Sequence, residues 1–327
     1  MKKISVIIPV YNGEKYINKC WMSLLKQTSD KWEAIFVNDG SNDNSQNILA
    51  EIGEKNKGNC KIYYSDNNGQ YIARKLGIQR ATGNYCMFLD VDDELEENAI
   101  ETILAIIEKK LPDIIIFDAK RIKGEKELPF WECFSNSDLD FSVDNKKILL
   151  KELLLTKRFN NLCFKAVKKE LCLEIIDVKN INNIRVEEDL LMQLSWIDKA
   201  NYIVYTPNRL YRYNFTPDSV TNSFVPGRYI AAESVNSALL YYAVKWNMEE
   251  CKEQINERYY IEICESVRQL KYYQHSMLKK ILYISKIHNN KYFKKKYDSE
   301  NVNVNVKRKL LLFCIRWNLW PVIILVI

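Results

Sequence analysis

Within residues 84–98, NYCMFLDVDDELEEN, an apolar run from 85 to 89 leads straight into Asp90, Asp92 and Asp93, with only Val91 among them. Side chains two apart on an extended segment point the same way, so Asp90 and Asp92 would repel across a short distance unless a cation sits between them. Hard carboxylate oxygens suit Mg2+ or Mn2+, ions that keep waters and take substrate phosphates as further ligands. A rival account makes DVDDELEE an acidic helix N-terminus, favoured by the helix dipole. It suits Asp93, Glu94, Glu96 and Glu97 better than Asp90 and Asp92, which lie in or just beyond the apolar run. A second acidic pair, Glu188 and Asp189, precedes the helical stripe Leu190, Leu191, Leu194 and Ile197. Consecutive helical residues point about 100° apart, so only one of the pair can face a given ligand.

These carboxylates need elements to aim them. Residues 4–10 form a β-branched apolar run that stops at Tyr11, Asn12 and Gly13, and helical spacing follows at Ile17, Cys20, Trp21, Leu24 and Leu25. Strands are predicted again at 32–40, 61–65, 85–89, 113–119 and 201–207, with helices over 72–81, 100–107 and 186–197. Gly83 is read as a helix stop, and the pattern weakens from 125 to 160. Beyond 228 the periodicity is helical. Strands alternating with helices predict a mostly parallel sheet flanked by helices, which binds ligands at the carboxyl ends of its strands. Here those ends carry Tyr11 and Asn12, Asn38 and Asp39, and Asp90 with Asp92, which predicts one shared site.

Composition narrows the chemistry. The only histidines are His275 and His288, so a Ser/His/Asp triad or a His-rich zinc site in the first 270 residues is excluded, and an acid or base there must be a carboxylate, Lys, Tyr or Cys. Nine scattered cysteines without a CxxC pair predict reduced thiols in a cytoplasmic protein. Residues 266–327 hold thirteen Lys or Arg against two acids, so a basic tail follows a mildly acidic body. The tail ends KRKLLLFCIRWNLWPVIILVI, too interrupted for a full span and suited to peripheral contact with an anionic membrane surface, or else to docking on the protein's own core. Nucleic-acid binding is not expected of a basic cluster beside so apolar a terminus.

Four segments in order, SVIIPVYNGEKYI, FVNDGSNDNS, NNGQYIARKLGIQRATGNYCMFLDVDD and VEEDLLMQLSWIDKANYIVYTPNRLYRYNFTPDSVTNSF, together resemble family 2 glycosyltransferases of the GT-A fold. Similar bacterial members build capsular, exopolysaccharide or cell-wall glycans. The resemblance implies an α/β, Rossmann-like GT-A domain over 1–224, with a nucleotide-sugar-binding half (1–122) and an acceptor-binding half (123–224). A helical, basic region over 225–327 follows. It implies a nucleotide-sugar donor, commonly a UDP-sugar, and a glycan or polyprenyl-linked acceptor. Pro9, Tyr11, Asn12 and Glu14 would line the nucleoside pocket, and Asp39 would contact base or ribose. Asp90 and Asp92 match the DxD motif, with Asp92 the direct ligand of Mn2+ or Mg2+ and Asp90 facing ribose or metal. Arg74 matches a stretch approaching the diphosphate, and Asp189 matches the catalytic base of an inverting transfer. Tyr71, Lys75 and Asn38 stand where the family commonly has Ser, Asn and Asp. Arg212 and Tyr213 are further candidates for acceptor or diphosphate contact. The competing functions are a haloacid-dehalogenase-like phosphatase, whose aspartates normally follow the first strand, and a degenerate nucleotide-binding scaffold.

Overall fold

The computed structural model describes residues 2–174, 186–215, 224–299 and 302–326. Among the described residues there are ten strands: β1 Ile4–Val10, β2 Trp32–Asp39, β3 Cys60–Ser65, β4 Tyr85–Phe88, β5 Glu94–Leu95, β6 Ile114–Lys123, β7 Lys126–Pro129, β8 Leu139–Ser142, β9 Lys165–Lys168 and β10 Tyr202–Asn214. The helices are α1 Ile17–Leu25, α2 Ser45–Lys55, α3 Gln70–Arg80, α4 Ala99–Lys110, α5 Lys147–Leu155, α6 Lys169–Leu173, α7 Glu188–Lys199, α8 Arg228–Lys245, α9 Lys252–Arg268, α10 Met277–Asn289, α11 Lys291–Ser299, α12 Val306–Arg316 and α13 Trp320–Val326. They fall into two compact units. One comprises Met1–Leu149, Lys157–Asn182 and Met192–Thr216; the other comprises Leu150–Thr156, Asn183–Leu191 and Pro217–Ile327.

The first unit is built on one sheet of order β3-β2-β1-β4-β9-β6-β10-β5, with β7 added beside β6 and β8 beside β10. Every residue of β1, β2 and β4 is buried, as expected of strands covered by helices on both faces. Strands β1, β2, β3 and β4 are mutually parallel, and β10 runs parallel to β6. Because β9 is antiparallel to both β4 and β6, six strands share one direction and the four short ones, β5, β7, β8 and β9, oppose it. The architecture is therefore an α/β sheet flanked by helices, mixed where the strand–helix alternation predicts mostly parallel strands, because β9 runs against both of its neighbours. The weak pattern over 125–160 resolves into the short strands β7 and β8 and helix α5. The strand expected over 201–207 runs on to Asn214.

After β3 the chain crosses back to lay β4 beside β1. That reversal makes a topological switch point, where the loops leaving β1 and β4 part and leave a crevice. Gly83 serves the crossing rather than stopping α3, which already ends at Arg80. A Cβ on Gly83 would lie 2.7 Å from both the Lys3 carbonyl oxygen and the Ser5 nitrogen, so only glycine lets the chain pass β1 there.

The second unit is helical. Its core gathers Tyr259, Tyr260, Ile263 and Val267 of α9 with Tyr283, Ile284 and Ile287 of α10. Leu312, Cys314 and Ile315 of α12 and Ile323 of α13 join the same core, so one face of the apolar tail docks on the protein itself. The tail is two helices, broken at Asn318 with φ 54°. No described helix is long and apolar enough to cross a membrane.

Candidate active site

The polar strand ends predicted to converge do meet, and the contacts that join them form a chain around the carboxyl edge of the sheet. The loop after β1 is stitched to the loop after β2. Asn12 donates its N–H to Ser41 Oγ at 3.0 Å and accepts from the Asn42 N–H at 2.8 Å. Gly13 N–H donates to Ser45 Oγ at 2.9 Å, and Glu14 donates its N–H to Asp43 and accepts from the Asn44 N–H at 2.9 Å. Asn12 adopts φ 52°, a left-handed conformation that asparagine tolerates. Pro9 is buried within β1, whereas Tyr11 is left 46% exposed at the rim.

Asp39, at the end of β2, is buried and carries the chain of contacts onward. Its carboxylate accepts from Ser65 Oγ and from the backbone N–H groups of Asn68 and Gly69 at 2.9 and 2.7 Å. It thereby fixes the loop that opens α3. Three donors leave about one lone-pair site of a carboxylate for a ligand. On α3, Arg74 is only 1% exposed and sets Nη2 2.9 Å from Asp90 Oδ1. The guanidinium expected to approach a diphosphate thus pairs with Asp90. Gly13 completes the rim, for a Cβ there would lie 3.2 Å from the Val91 side chain.

Asp90 and Asp92 do not share an extended segment. Strand β4 ends at Phe88, and the Asp93 N–H closes back on the Asp90 carbonyl at 3.0 Å, leaving Val91 and Asp92 at the centre of a turn. Nor is DVDDELEE the start of a helix. Helix α4 begins only at Ala99, with Glu101 the acid of its first turn, and Glu94 belongs to β5. Asp93 is the residue that this account most misplaces. It is buried, accepting from Tyr211 Oη at 2.7 Å and from the Asn214 N–H at 2.7 Å.

Tyr211 Oη in turn accepts from the Asp90 N–H at 3.2 Å, and Asn214 Nδ2 donates to the Asp92 carbonyl at 2.8 Å. The far end of β10 therefore holds the whole turn from beneath. Tyr211 is completely buried, yet its hydroxyl is part of the site's frame. Asn214 went unnoticed, and its only signal was a polar residue ending a long strand.

The electrostatics of the turn are strongly negative. Burial, and then the charges of Asp92 and Asp90, push the Asp93 carboxyl well above the ordinary carboxylate range against the pull of its hydrogen bonds. Burial and then Asp93, Asp92 and Asp90 likewise push the Cys20 thiol upward. A divalent cation would relieve this field. Among the described residues no three His, Cys, Asp or Glu side chains are grouped to hold a metal by themselves. The turn instead fits an ion held by one or two carboxylates, with water and substrate phosphates completing the shell.

The profile described as Glycosyl transferase family 2 covers residues 5–175. The chain belongs to glycosyltransferase family 2. Over 226 residues this glycosyltransferase is 30% identical to the glycosyltransferase GlyG of Streptococcus pneumoniae, a match spanning 66% of this chain and 72% of GlyG. It is 34% identical to GlyA of the same organism over 148 residues, 45% of this chain but 21% of GlyA. Among solved structures, residues 1–349 of S. aureus TarS in complex with UDP align with a TM-score of 0.67 at 20% identity, covering 97% of this chain and 87% of that one. TarS 1–349 has also been solved with UDP-GlcNAc. At that identity the likeness establishes the fold.

The remaining candidates of the glycosyltransferase lie elsewhere in it. Asp189 lies in the first turn of α7, in the segment that belongs to the helical unit; Glu188 is buried and Asp189 half-buried. Glu187, before them, takes φ 60°, and Arg258 Nη2 lies 3.5 Å from its carboxylate while Nη1 donates to the Thr156 carbonyl at 3.1 Å. Arg212 is engaged by Glu96 at 3.1 Å and Glu127 at 2.7 Å, with Lys120 bridging the same two acids. Tyr213 packs edge-on against Phe130. Tyr71 is buried on α3. The part of the fourth motif at 216–223, TPDSVTNS, lies outside the described residues.

Proposed function

We propose that this glycosyltransferase moves a sugar from a UDP-sugar to a hydroxyl of a bacterial surface glycan, with inversion at the anomeric carbon. The observation that carries the donor assignment is the closed rim formed by the loops after β1, β2 and β3 and the Asp90–Asp92 turn. UDP and UDP-GlcNAc in TarS, a protein of the same fold, support a uridine donor. The names of the relatives support the glycan acceptor: TarS is a poly(ribitol-phosphate) β-N-acetylglucosaminyltransferase, and TuaG of Bacillus subtilis is a putative teichuronic acid biosynthesis glycosyltransferase.

In this reading Tyr11, with Pro9, Asn12 and Glu14 shaping its loop, forms the nucleoside wall, and the remaining lone pair of Asp39 faces base or ribose. Asp92 and Asp90 present carboxylate oxygens toward the diphosphate, and Arg74 keeps Asp90 from turning away. A bound Mn2+ or Mg2+ supplies positive charge for the departing diphosphate. Asp189 takes the proton of the attacking hydroxyl. The acceptor oxygen bonds to C1 as the C1–O bond to the diphosphate breaks, and the electron pair leaves with the nucleoside diphosphate. One in-line displacement inverts the centre.

The test is binding and hydrolysis over a panel of nucleotide sugars, with and without Mn2+, for the wild type and Asp92→Ala. Metal-dependent binding of one donor, lost in the variant, is the expected result. Binding by neither protein would return Asp90 and Asp92 to a structural role and leave a scaffold.

A further inference from the structure

Helix α12 has two apolar faces, and only one of them is used. Leu312 and Ile315 are fully buried in the core of the helical unit. On the opposite side Val306, Leu310, Phe313 and Trp317 are 81%, 58%, 46% and 59% exposed. At 100° per residue these four positions fall within about 60° of one another, a single stripe along the helix. Trp320 and Val322, in the next helix, are also exposed. An isolated exposed Leu needs no explanation, but a continuous stripe of Val, Leu, Phe and Trp on a helix already anchored by its other face does.

Charge identifies the occupant. Lys309 lies on one flank of the stripe and Lys307 on the other, both exposed. Lys279 and Lys286 of α10 and Lys291 and Lys295 of α11 are exposed in the same unit. Arg316, beside Trp317, is held by both oxygens of Asp298 at 2.8 and 2.7 Å and lies 5.2 Å from the Trp317 ring centre. Large apolar side chains with tryptophan at the margin and lysines alongside are the surface of a helix lying in a lipid headgroup layer. A second protein copy carrying the same lysines would bring like charges together, whereas an anionic lipid surface neutralises them.

We infer that α12, through Val306, Leu310, Phe313 and Trp317, docks the protein on an anionic membrane surface, lying in the interface without crossing it. The lysines draw the helical unit to the headgroups, and the stripe then buries its apolar area below them. Docking requires neither donor nor acceptor, so it stands or falls apart from the transfer reaction.

The test is co-sedimentation of the full chain with phosphatidylcholine vesicles and with vesicles containing phosphatidylglycerol. It is run at low and high salt, with light scattering on the protein alone. Binding is expected only to the anionic vesicles, and weaker at high salt. The variant with Leu310→Ser, Phe313→Ser and Trp317→Ser should lose about tenfold or more in affinity, and Lys307→Glu with Lys309→Glu about as much. All changed side chains are half or fully exposed, and unchanged melting curves check that the fold survives. Absence of vesicle binding, or equal binding by the wild type and the serine variant, overturns the inference. A dimer that the serine variant dissociates would assign the stripe to a second copy instead.

Discussion

The chemistry assigned to Asp189 rests on one carboxylate preceded by two others: Glu188 is buried, and Glu187 faces Arg258. Asp189→Asn keeps the shape and removes the proton acceptor, so kcat should fall by about 10²–10⁴ with donor affinity unchanged, read from initial rates and a donor-binding titration. Equal loss in donor affinity would move Asp189 from base to binding residue. Tyr211→Phe tests the frame instead. It removes the hydroxyl that Asp93 and the Asp90 N–H both use, leaving a buried carboxylate oxygen short of a donor at a cost of about 1–3 kcal/mol. Chemical unfolding should show that loss, and donor affinity should weaken because the Asp90–Asp92 turn is no longer held.

Elements are joined here by close backbone approach as much as by side chains. Where α3 hands over to β4, Gly83 runs against the backbone of β1, and its N–H donates to Ser5 Oγ at 2.9 Å. Gly83→Ala would drive a Cβ into backbone atoms that have no rotamer to escape through. A loss of about 2–3 kcal/mol in urea unfolding is expected, with the strand pairing of β1 and β4 the first to loosen. A melting temperature equal to wild type would mean that β1 can shift at no cost.

Across the whole sheet, one buried acid ties the strand ends opposite the site. Glu33, in β2, accepts from Ser5 Oγ of β1 at 2.6 Å, from Lys61 Nζ of β3 at 2.8 Å and from both donors of Thr82. Burial pushes its carboxyl up, but the hydrogen bonds from Lys61, Ser5 and Thr82 outweigh it and hold the group at about 2, against an ordinary 4.5. A depressed folded value stabilises the protein above pH 4.5, and that contribution of about 3 kcal/mol is lost as pH falls from 4.5 toward 2. Unfolding free energies measured at pH 7 and pH 3 should differ less for Glu33→Gln than for the wild type. Activity at neutral pH should survive, since Glu33 and Asp39 stand about 20 Å apart along β2. An unchanged acid limb in the variant would assign the pH dependence to other carboxylates.

Much of the architecture was legible because it is local. Runs such as residues 4–10, helical spacing from Ile17 to Leu25 and polar residues at each strand end are properties of short segments, and they set the parallel strands β1 to β4 and the polar edge at their carboxyl ends, but not the antiparallel β9 that joins β4 to β6. The carboxylates Asp90 and Asp92 could be singled out for the same reason. What the sequence left undecided depends on partners far along the chain. Asp93 passed for a helix-start acid because Tyr211, which buries it, lies 118 positions away. Arg74 turns to Asp90, and Asn12, Glu14 and Asp39 spend hydrogen bonds on neighbouring loops, only because β1, β2 and β4 lie side by side. The tail's apolar residues read as one amphipathic mass; packing against α9 and α10 buried Leu312 and Ile315 and left Leu310 and Phe313 outside. Local periodicity names the faces of an element, but only the neighbours decide which face is covered.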